Sequence, residues 1–195
     1  MLRQPDGSTP IDPDEIGDLV PEHLETLDHL NEWEQANIAS TVSWLHQRRR
    51  PTDRVLSEKF IREVHRRMFG DTWRWAGAFR RTEKNIGNVH WRDIHAQLHQ
   101  LLENTKHQLA DAAAARDEVA ARFHHRLVQI HLFPNGNGRH ARLVTDSLLA
   151  SLGERSFTWG AQSEGDDTAV RTRYLDALRS ADAGRFKPLI TFVRT

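Results

Sequence analysis

The most informative segment of the chain reads His131-Leu132-Phe133-Pro134-Asn135-Gly136-Asn137-Gly138-Arg139-His140-Ala141-Arg142. Apolar residues before it recur at helical spacing and predict a helix that ends near His131: Val119, Phe123, Leu127 and Ile130. Apolar residues after it repeat the pattern up to Gly153, a residue type common at helix C-termini: Leu143, Val144, Leu148, Leu149 and Leu152. The segment therefore predicts a loop between two helices.

The residues of this loop are suited to binding an anion. Gly136 and Gly138 allow a sharp turn that brings backbone N–H groups close to a ligand, and the following helix directs its own N–H groups there. Arg139 and Arg142 are three residues apart, which predicts a shared face that can bind oxygens further along a polyphosphate. His131, with an ordinary pKa of ~6.5, suits a general base. Gly-Asn-Gly alone is more often a plain turn, but the combination favours a phosphate site.

The same residues resemble the signature of the Fic/Doc family, His-x-Phe-x-(Asp/Glu)-Gly-Asn-Gly-Arg-x-x-Arg. The chain matches it at His131, Phe133, Gly136, Asn137, Gly138, Arg139 and Arg142. The resemblance extends over roughly residues 25 to 193, because further segments also match: Trp75-Ala76-Gly77, Arg80, the Tyr174 region and Pro188-Leu189-Ile190. We expect an N-terminal extension over residues 1–24 and a Fic domain over 25–195. The runs 9–15 and 30–38 are similar to the subgroup labelled mobile mystery protein B.

The resemblance implies transfer of AMP, or another nucleoside monophosphate, from a nucleoside triphosphate such as ATP to a Ser, Thr or Tyr hydroxyl of a protein. In that reading His131 is the catalytic base. Asn137 and the backbone of Gly136 and Gly138 hold the α-phosphate, while Arg139 and Arg142 bind the β- and γ-phosphates. Phe133 is expected in the core beneath the loop.

Two positions depart from the family pattern. Leu132 stands where proline is usual, which removes no chemistry. Asn135 stands where Asp or Glu normally holds Mg²⁺, and an amide oxygen is a weaker ligand than a carboxylate. We therefore predict weak AMP transfer that requires His131 and Mg²⁺ or Mn²⁺. The alternatives are a different nucleotide or reaction, a Doc-like phosphotransferase, or a module that binds nucleotide or nucleic acid without catalysis.

Family members also often carry a hairpin that aligns the target protein, and a helix whose glutamate inhibits the enzyme. Residues 81–91 contain the turn pair Gly87-Asn88 and predict a short β-hairpin flap, with Ile86, Val89 and Trp91 as target-docking residues. The inhibitory motif has no full match, because Leu30 stands where Ser or Thr should precede Glu34. Glu34 is expected to be solvated, and a toxin-like role under an antitoxin or other regulatory protein stays open.

Composition sets the outer bounds. The chain has 195 residues and 38% hydrophobic content, which favours one core, and eight predicted helical segments and the absence of strand periodicity outside the flap favour an all-α class. It contains no cysteine and no apolar run of membrane length, which favours a cytoplasmic protein without a membrane partner. Lys plus Arg equals Asp plus Glu at 27 each, so nucleic acid is not the expected partner. Histidines other than His131 are expected to be structural or exposed rather than metal ligands.

Overall fold

The structure is a computed structural model that describes residues 17–21, 27–84, 87–163 and 166–195. Its helices are α1 Leu27–His46, α2 Thr52–Val55, α3 Glu58–Phe69, α4 Ile94–Ala110, α5 Arg116–Ile130, α6 Asn137–Leu152, α7 Asp167–Asp182 and α8 Lys187–Arg194. A 3₁₀ turn, Trp91–Asp93, leads into α4. Over these described residues the all-α expectation is confirmed. Of the eight helical segments predicted from the sequence, the first begins near Asp12, outside the described residues.

Local sequence explains where the central helices begin and end. The Ser57 hydroxyl accepts a hydrogen bond from the backbone N–H of Phe60 (3.3 Å) and caps α3. Gly136 precedes α6 with φ +74°, and Gly153 follows it with φ +80°. A side chain at Gly136 would be strained by that angle and would also lie 2.4 Å from the ring of Phe69, so only glycine fits.

The helices pack around α5 and α6. α6 contacts α2, α3 and α5, while α4 covers another side of α5 and α1 packs on α3. α7 and α8 pack against each other and α8 reaches α5, which forms a second apolar cluster around Leu149, Leu189 and Val193. Phe133 is fully buried in the main core, as predicted. The loop between α5 and α6 therefore rests on the core rather than projecting from it.

The predicted β-hairpin flap is wrong for the described part of residues 81–91, which contains no strand. The buried Arg80 guanidinium donates to the carbonyl oxygens of Thr82 (2.8 Å) and Val89 (2.5 Å), so a side chain takes the acceptors that strand pairing would use. Asn88 donates its backbone N–H to Gln129 in α5 (3.3 Å). Ile86, one of the predicted docking residues, lies outside the described residues.

Candidate active site

His131 lies at the C-terminal end of α5 in a left-handed conformation, with φ +53°. This conformation is uncommon for a residue with a side chain, and such residues cluster at functional sites. Only 4% of the residue is exposed. A Cβ built on Gly87 would lie 3.0 Å from the Cβ of His131, so the segment at Gly87 covers the histidine closely. Glycine at 87 makes that close approach possible.

Arg80 anchors the entrance to the loop. Its side chain is buried, and its Nε donates to the carbonyl oxygen of His131 (2.6 Å), while its backbone N–H donates to the carbonyl oxygen of Leu132 (2.9 Å). Together with its bonds to Thr82 and Val89, these contacts hold the loop entrance and the covering segment in one arrangement. The sequence included Arg80 in the family resemblance but indicated no role for it.

His65 supports the loop from below, and sequence reasoning did not identify it. Its Nδ1 accepts the backbone N–H of Gly77 (3.0 Å), which leaves Nε2–H to donate to the carbonyl oxygen of Asn135 (3.1 Å). The ring stacks on Phe133 with centroids 3.7 Å apart. Burial holds the pKa of His65 well below its usual value, so the ring is neutral and keeps this donor and acceptor pattern. Its apolar neighbours along α3 gave the only sequence signal, that of a buried position.

The two asparagines of the loop bind the loop itself. Asn137 accepts the backbone N–H of Phe133 through Oδ1 (2.9 Å) and donates from Nδ2 to the carbonyl oxygen of Phe133 (2.8 Å). Asn135 Oδ1 accepts the backbone N–H of Gly136 (2.6 Å). Both side chains thus fix the backbone that leads into α6, rather than reaching outward from it.

The N-terminus of α6 supplies the anion-binding feature that the sequence predicted. His140 makes an i to i−4 bond from its backbone N–H to Gly136 (3.0 Å), so Asn137, Gly138 and Arg139 precede the regular ladder of the helix. A Cβ built on Gly138 meets nothing within 4 Å, so the space on that side is open. Backbone N–H groups of this first turn and the positive end of the helix dipole can therefore bind a phosphate there.

Arg139 and Arg142 contact different neighbours. Arg139 donates from Nη1 to Oε2 of Glu34 in α1 (2.8 Å), and its guanidinium lies 5.0 Å from the ring centre of Phe69. Arg142 lies 4.5 Å from the ring centre of Tyr174 and 5.7 Å from that of Trp159. The two arginines therefore flank the start of α6 in distinct surroundings, which the spacing of three residues did not predict.

Glu34 is buried rather than solvated, so that expectation was wrong. It is 7% exposed and, besides Arg139, its Oε1 accepts the indole N–H of Trp73 (2.8 Å). Two donors satisfy both carboxylate oxygens, which is what a buried acid requires. The contact spans 105 positions along the chain, so no local pattern could have indicated it.

The pKa of His131 is lowered to about 4, chiefly by burial and further by the nearby positive charge of Arg80. The ring is therefore neutral at pH 7 and able to accept a proton, although it is a weaker base than an exposed histidine. Burial also lowers the pKa of His140 to about 4 and that of His124 to about 3. Asp146 is shifted in the opposite sense, because burial raises its pKa to about 6.

We expect the free energy of unfolding to fall as the pH drops from 7 to 5. Four buried histidines bind protons below about pH 6.5 in the unfolded chain but stay neutral in the folded one: His65, His124, His131 and His140. Each of them therefore lowers the free energy of unfolding by up to about 2 kcal/mol at pH 5. The raised pKa of Asp146 opposes this by about 1 kcal/mol, since its folded form takes up a proton first. Urea unfolding at pH 7, 6 and 5 measures the slope. His140→Gln should make the free energy of unfolding depend less on pH, whereas His99→Gln, at an exposed position, should leave the dependence unchanged. A free energy of unfolding that stays constant from pH 7 to pH 5 would contradict the expectation.

The described residues contain no group of three or more His, Cys, Asp or Glu side chains arranged to hold a metal ion. Asn135 does not fit as the ligand that the family's carboxylate provides, because its amide oxygen is uncharged and already accepts from Gly136. None of the helices in the described part of the chain is long and apolar enough to span a bilayer.

Comparisons with known proteins agree with this architecture. Over 139 residues the chain is 32% identical to the Protein adenylyltransferase Fic of Drosophila grimshawi, a match that covers 69% of this chain and 27% of the fly protein. A Fic domain containing signaling protein from Bacteroides thetaiotaomicron gives a TM-score of 0.67 at 20% identity, over 83% of this chain and 66% of that one. The BepC protein of Bartonella tribocorum, solved with bound AMPPNP, gives a TM-score of 0.67 at 16% identity. That match covers 88% of this chain and 87% of the BepC chain.

The helical fold and the loop between α5 and α6 are thus those of a known class of domain. Residues 55–149 match the Fic/DOC family, and the chain belongs to that family. The chain spans little more than a quarter of the length of the fly relative, 27%. The finer likeness to the mobile mystery protein B subgroup stays a prediction.

Proposed function

We propose that this domain transfers AMP, or another nucleoside monophosphate, from a nucleoside triphosphate to a Ser, Thr or Tyr hydroxyl of a protein. The observation that carries the proposal is the position of a neutral, buried His131 at one end of a loop whose other end is the open N-terminus of α6. The name of the fly relative, an adenylyltransferase, and the AMPPNP bound to BepC support it.

In the proposed reaction, His131 accepts the proton of the attacking hydroxyl. A bond forms between the hydroxyl oxygen and the α-phosphorus, while the bond from that phosphorus to the bridging oxygen breaks and pyrophosphate leaves. Backbone N–H groups in the first turn of α6 stabilise the charge on the phosphate oxygens. The histidine needs no prior deprotonation at neutral pH, because its lowered pKa keeps the ring neutral.

The other loop residues divide into binding and positioning roles. Asn137 acts through its two bonds to Phe133, which shape the backbone that receives the α-phosphate. Arg142, beside Tyr174, provides a guanidinium for the outer phosphates. Arg139 serves the same purpose once it leaves Glu34, with which it is paired here. Gly138 leaves the space beside its backbone open for the ligand, whereas the absence of a side chain at Gly136 makes room for the ring of Phe69.

The chemistry of the family also uses a divalent cation. Mg²⁺ or Mn²⁺ is expected to accompany the triphosphate, but Asn135 does not fit as its protein ligand, and we derive no step through it. This departure accounts for the weak transfer that we predict. We also propose that an antitoxin or another regulatory protein binds this domain.

Asn135→Asp is expected to raise AMP transfer on the order of tenfold and to lower the Mg²⁺ concentration needed, because a carboxylate adds charge at the usual metal position. Rates measured across a Mg²⁺ titration test this. Asn104→Asp makes the same charge change at an exposed position of α4 and should leave the titration curve unchanged. An identical curve for Asn135→Asp would show that the loop does not engage the metal.

Comparison of α-labelled with γ-labelled ATP tests the proposed reaction. We expect label on protein from α-labelled ATP only, since AMP carries the α-phosphate and the γ-phosphate leaves with pyrophosphate. Label from γ-labelled ATP only would instead establish a Doc-like phosphotransferase. ATP binding without label from either nucleotide would establish a non-catalytic binding module.

A further inference from the structure

A pocket of about 400 Å³ opens beside Arg80, between the segment that follows Trp75-Ala76-Gly77 and the start of α4. Its lining is mostly cationic and aromatic: Arg62, Arg80, Arg81 and Arg92 with Phe79, Trp91 and His95, beside Ala78. Nothing in the proposed transfer reaction uses this pocket. It is nevertheless joined to the loop, because Arg80 lines the pocket and also donates to the carbonyl oxygen of His131 (2.6 Å).

Positive charge dominates the pocket although the chain as a whole is neutral. Lys plus Arg and Asp plus Glu are 27 each, yet the described residues that line the pocket include four arginines and no carboxylate. Two acids stand near its edge: Glu58, which pairs with Arg62 (3.3 Å), and Glu83, which lies 3.7 Å from Arg80. The exposed side chains of Arg81 and Arg92 remain as cations that a ligand can reach.

Aromatic rings hold two of the guanidinium groups in place. The Arg92 guanidinium lies 4.4 Å from the ring centre of Trp91, and that of Arg62 lies 5.3 Å from the ring centre of Phe79. Stacking leaves the N–H edge of the Arg92 guanidinium available for bidentate binding of a carboxylate, whereas Arg62 already donates to the carbonyl oxygen of Gly77 (2.8 Å) and to Glu58 (3.3 Å). The ring centres of Phe79 and Phe133, which lies beneath the loop, are 5.6 Å apart. This wall of the pocket therefore packs on the core. Preordered cations of this kind lose less side-chain entropy when they bind.

We infer that this pocket binds an acidic segment of a partner protein, one that presents Asp or Glu carboxylates. A protein segment fits better than a nucleic acid, because the cations are gathered in one pocket rather than along an extended stripe that follows a phosphate backbone. That the partner is the protein receiving AMP rests on the proposed function, whereas the binding itself does not. The pocket then holds the partner beside Arg80, which is bonded directly to the loop.

Fluorescence anisotropy with a labelled deca-glutamate peptide tests the inference, without nucleotide and at low salt. Arg81→Glu combined with Arg92→Glu should weaken binding at least about tenfold, because each change replaces an attraction with a repulsion. Arg155→Glu combined with Arg185→Glu is the matched control, with the same charge change at exposed positions elsewhere. It should change the affinity less than about twofold.

An equal loss of peptide affinity in the two double variants would overturn the inference, because the peptide would then respond to net charge alone. The absence of peptide binding to the unaltered protein would overturn it as well. Preferential binding of a labelled ten-nucleotide DNA strand, lost only in the pocket variant, would assign the pocket to nucleic acid instead. Should glutamate disturb folding, Arg81→Gln with Arg92→Gln serves the same purpose. The experiment measures peptide binding and not AMP transfer. Its outcome can therefore be told apart from a failure of the proposed reaction.

Discussion

His131→Asn should reduce the labelling of protein from α-labelled ATP roughly 100-fold or more, the scale of a lost general base. Asparagine is the sharpest substitution here because it tolerates the left-handed φ of +53° at this position better than other side chains. It keeps a polar side chain, although a shorter one, and cannot accept a proton at neutral pH. Labelling rate and ATP affinity, measured separately, show whether the loss lies in the chemical step.

We expect ATP affinity to change little in this variant, since the phosphate is proposed to bind the first turn of α6 rather than the imidazole. His99→Asn, at an exposed position of α4, controls for the loss of a histidine and should label normally. Labelling by His131→Asn at the unaltered rate would remove His131 from the mechanism. A matching loss of ATP affinity would assign the histidine to binding rather than proton transfer.

Glu34→Gln should raise the labelling rate on the order of tenfold by releasing Arg139 for the triphosphate. The carboxylate of Glu34 is buried and bonded to both Arg139 and Trp73, at 2.8 Å each. Glutamine keeps an acceptor for the indole N–H and a nearly identical shape, but it loses the charge that holds the guanidinium. A tenfold change corresponds to about 1.4 kcal/mol, somewhat more than the roughly 0.2–1 kcal/mol of an exposed ion pair, because the Glu34 carboxylate is buried.

The pair joins Glu34 to the first arginine of the motif, Arg139, although Leu30 stands where the inhibitory motif has Ser or Thr. Glu63→Gln is a suitable control, since it removes an acid that pairs with Arg54 and Arg67 on the surface of α3. Arg139→Ala should be the more damaging change, because it leaves the Glu34 charge buried with only Trp73 as a donor. An unchanged or lower rate in Glu34→Gln would mean that the ion pair supports the site instead of blocking it.

The sequence located much of this site because its signals are local. The spacing of apolar residues placed α5 and α6 to within a few residues, and Gly153 ended α6 in the left-handed conformation that favours glycine. Phe133 was expected in the core and is fully buried. These features depend on a few neighbouring residues, and helical periodicity and turn chemistry act over that same range.

The errors in the sequence-based expectations arose where distant residues meet. Residues 81–91 contain a turn pair typical of a hairpin, but the carbonyl groups of Thr82 and Val89 bind the buried guanidinium of Arg80. Glu34 stands on a helix with polar neighbours and was expected in solvent, yet α6 and Trp73 enclose it. In both cases a single buried charge selected the local structure, because a buried charge must find partners wherever the fold offers them.

The sequence by itself therefore determined the helical class, the loop between α5 and α6, and which residues that loop contains. Only the tertiary structure decided the protonation state of His131, the engagement of Arg139 by Glu34, and the support given by Arg80 and His65. The reason is physical: helix and turn preferences are set by nearby residues, whereas a pKa, an ion pair or a buried hydrogen bond depends on the groups that folding brings into contact.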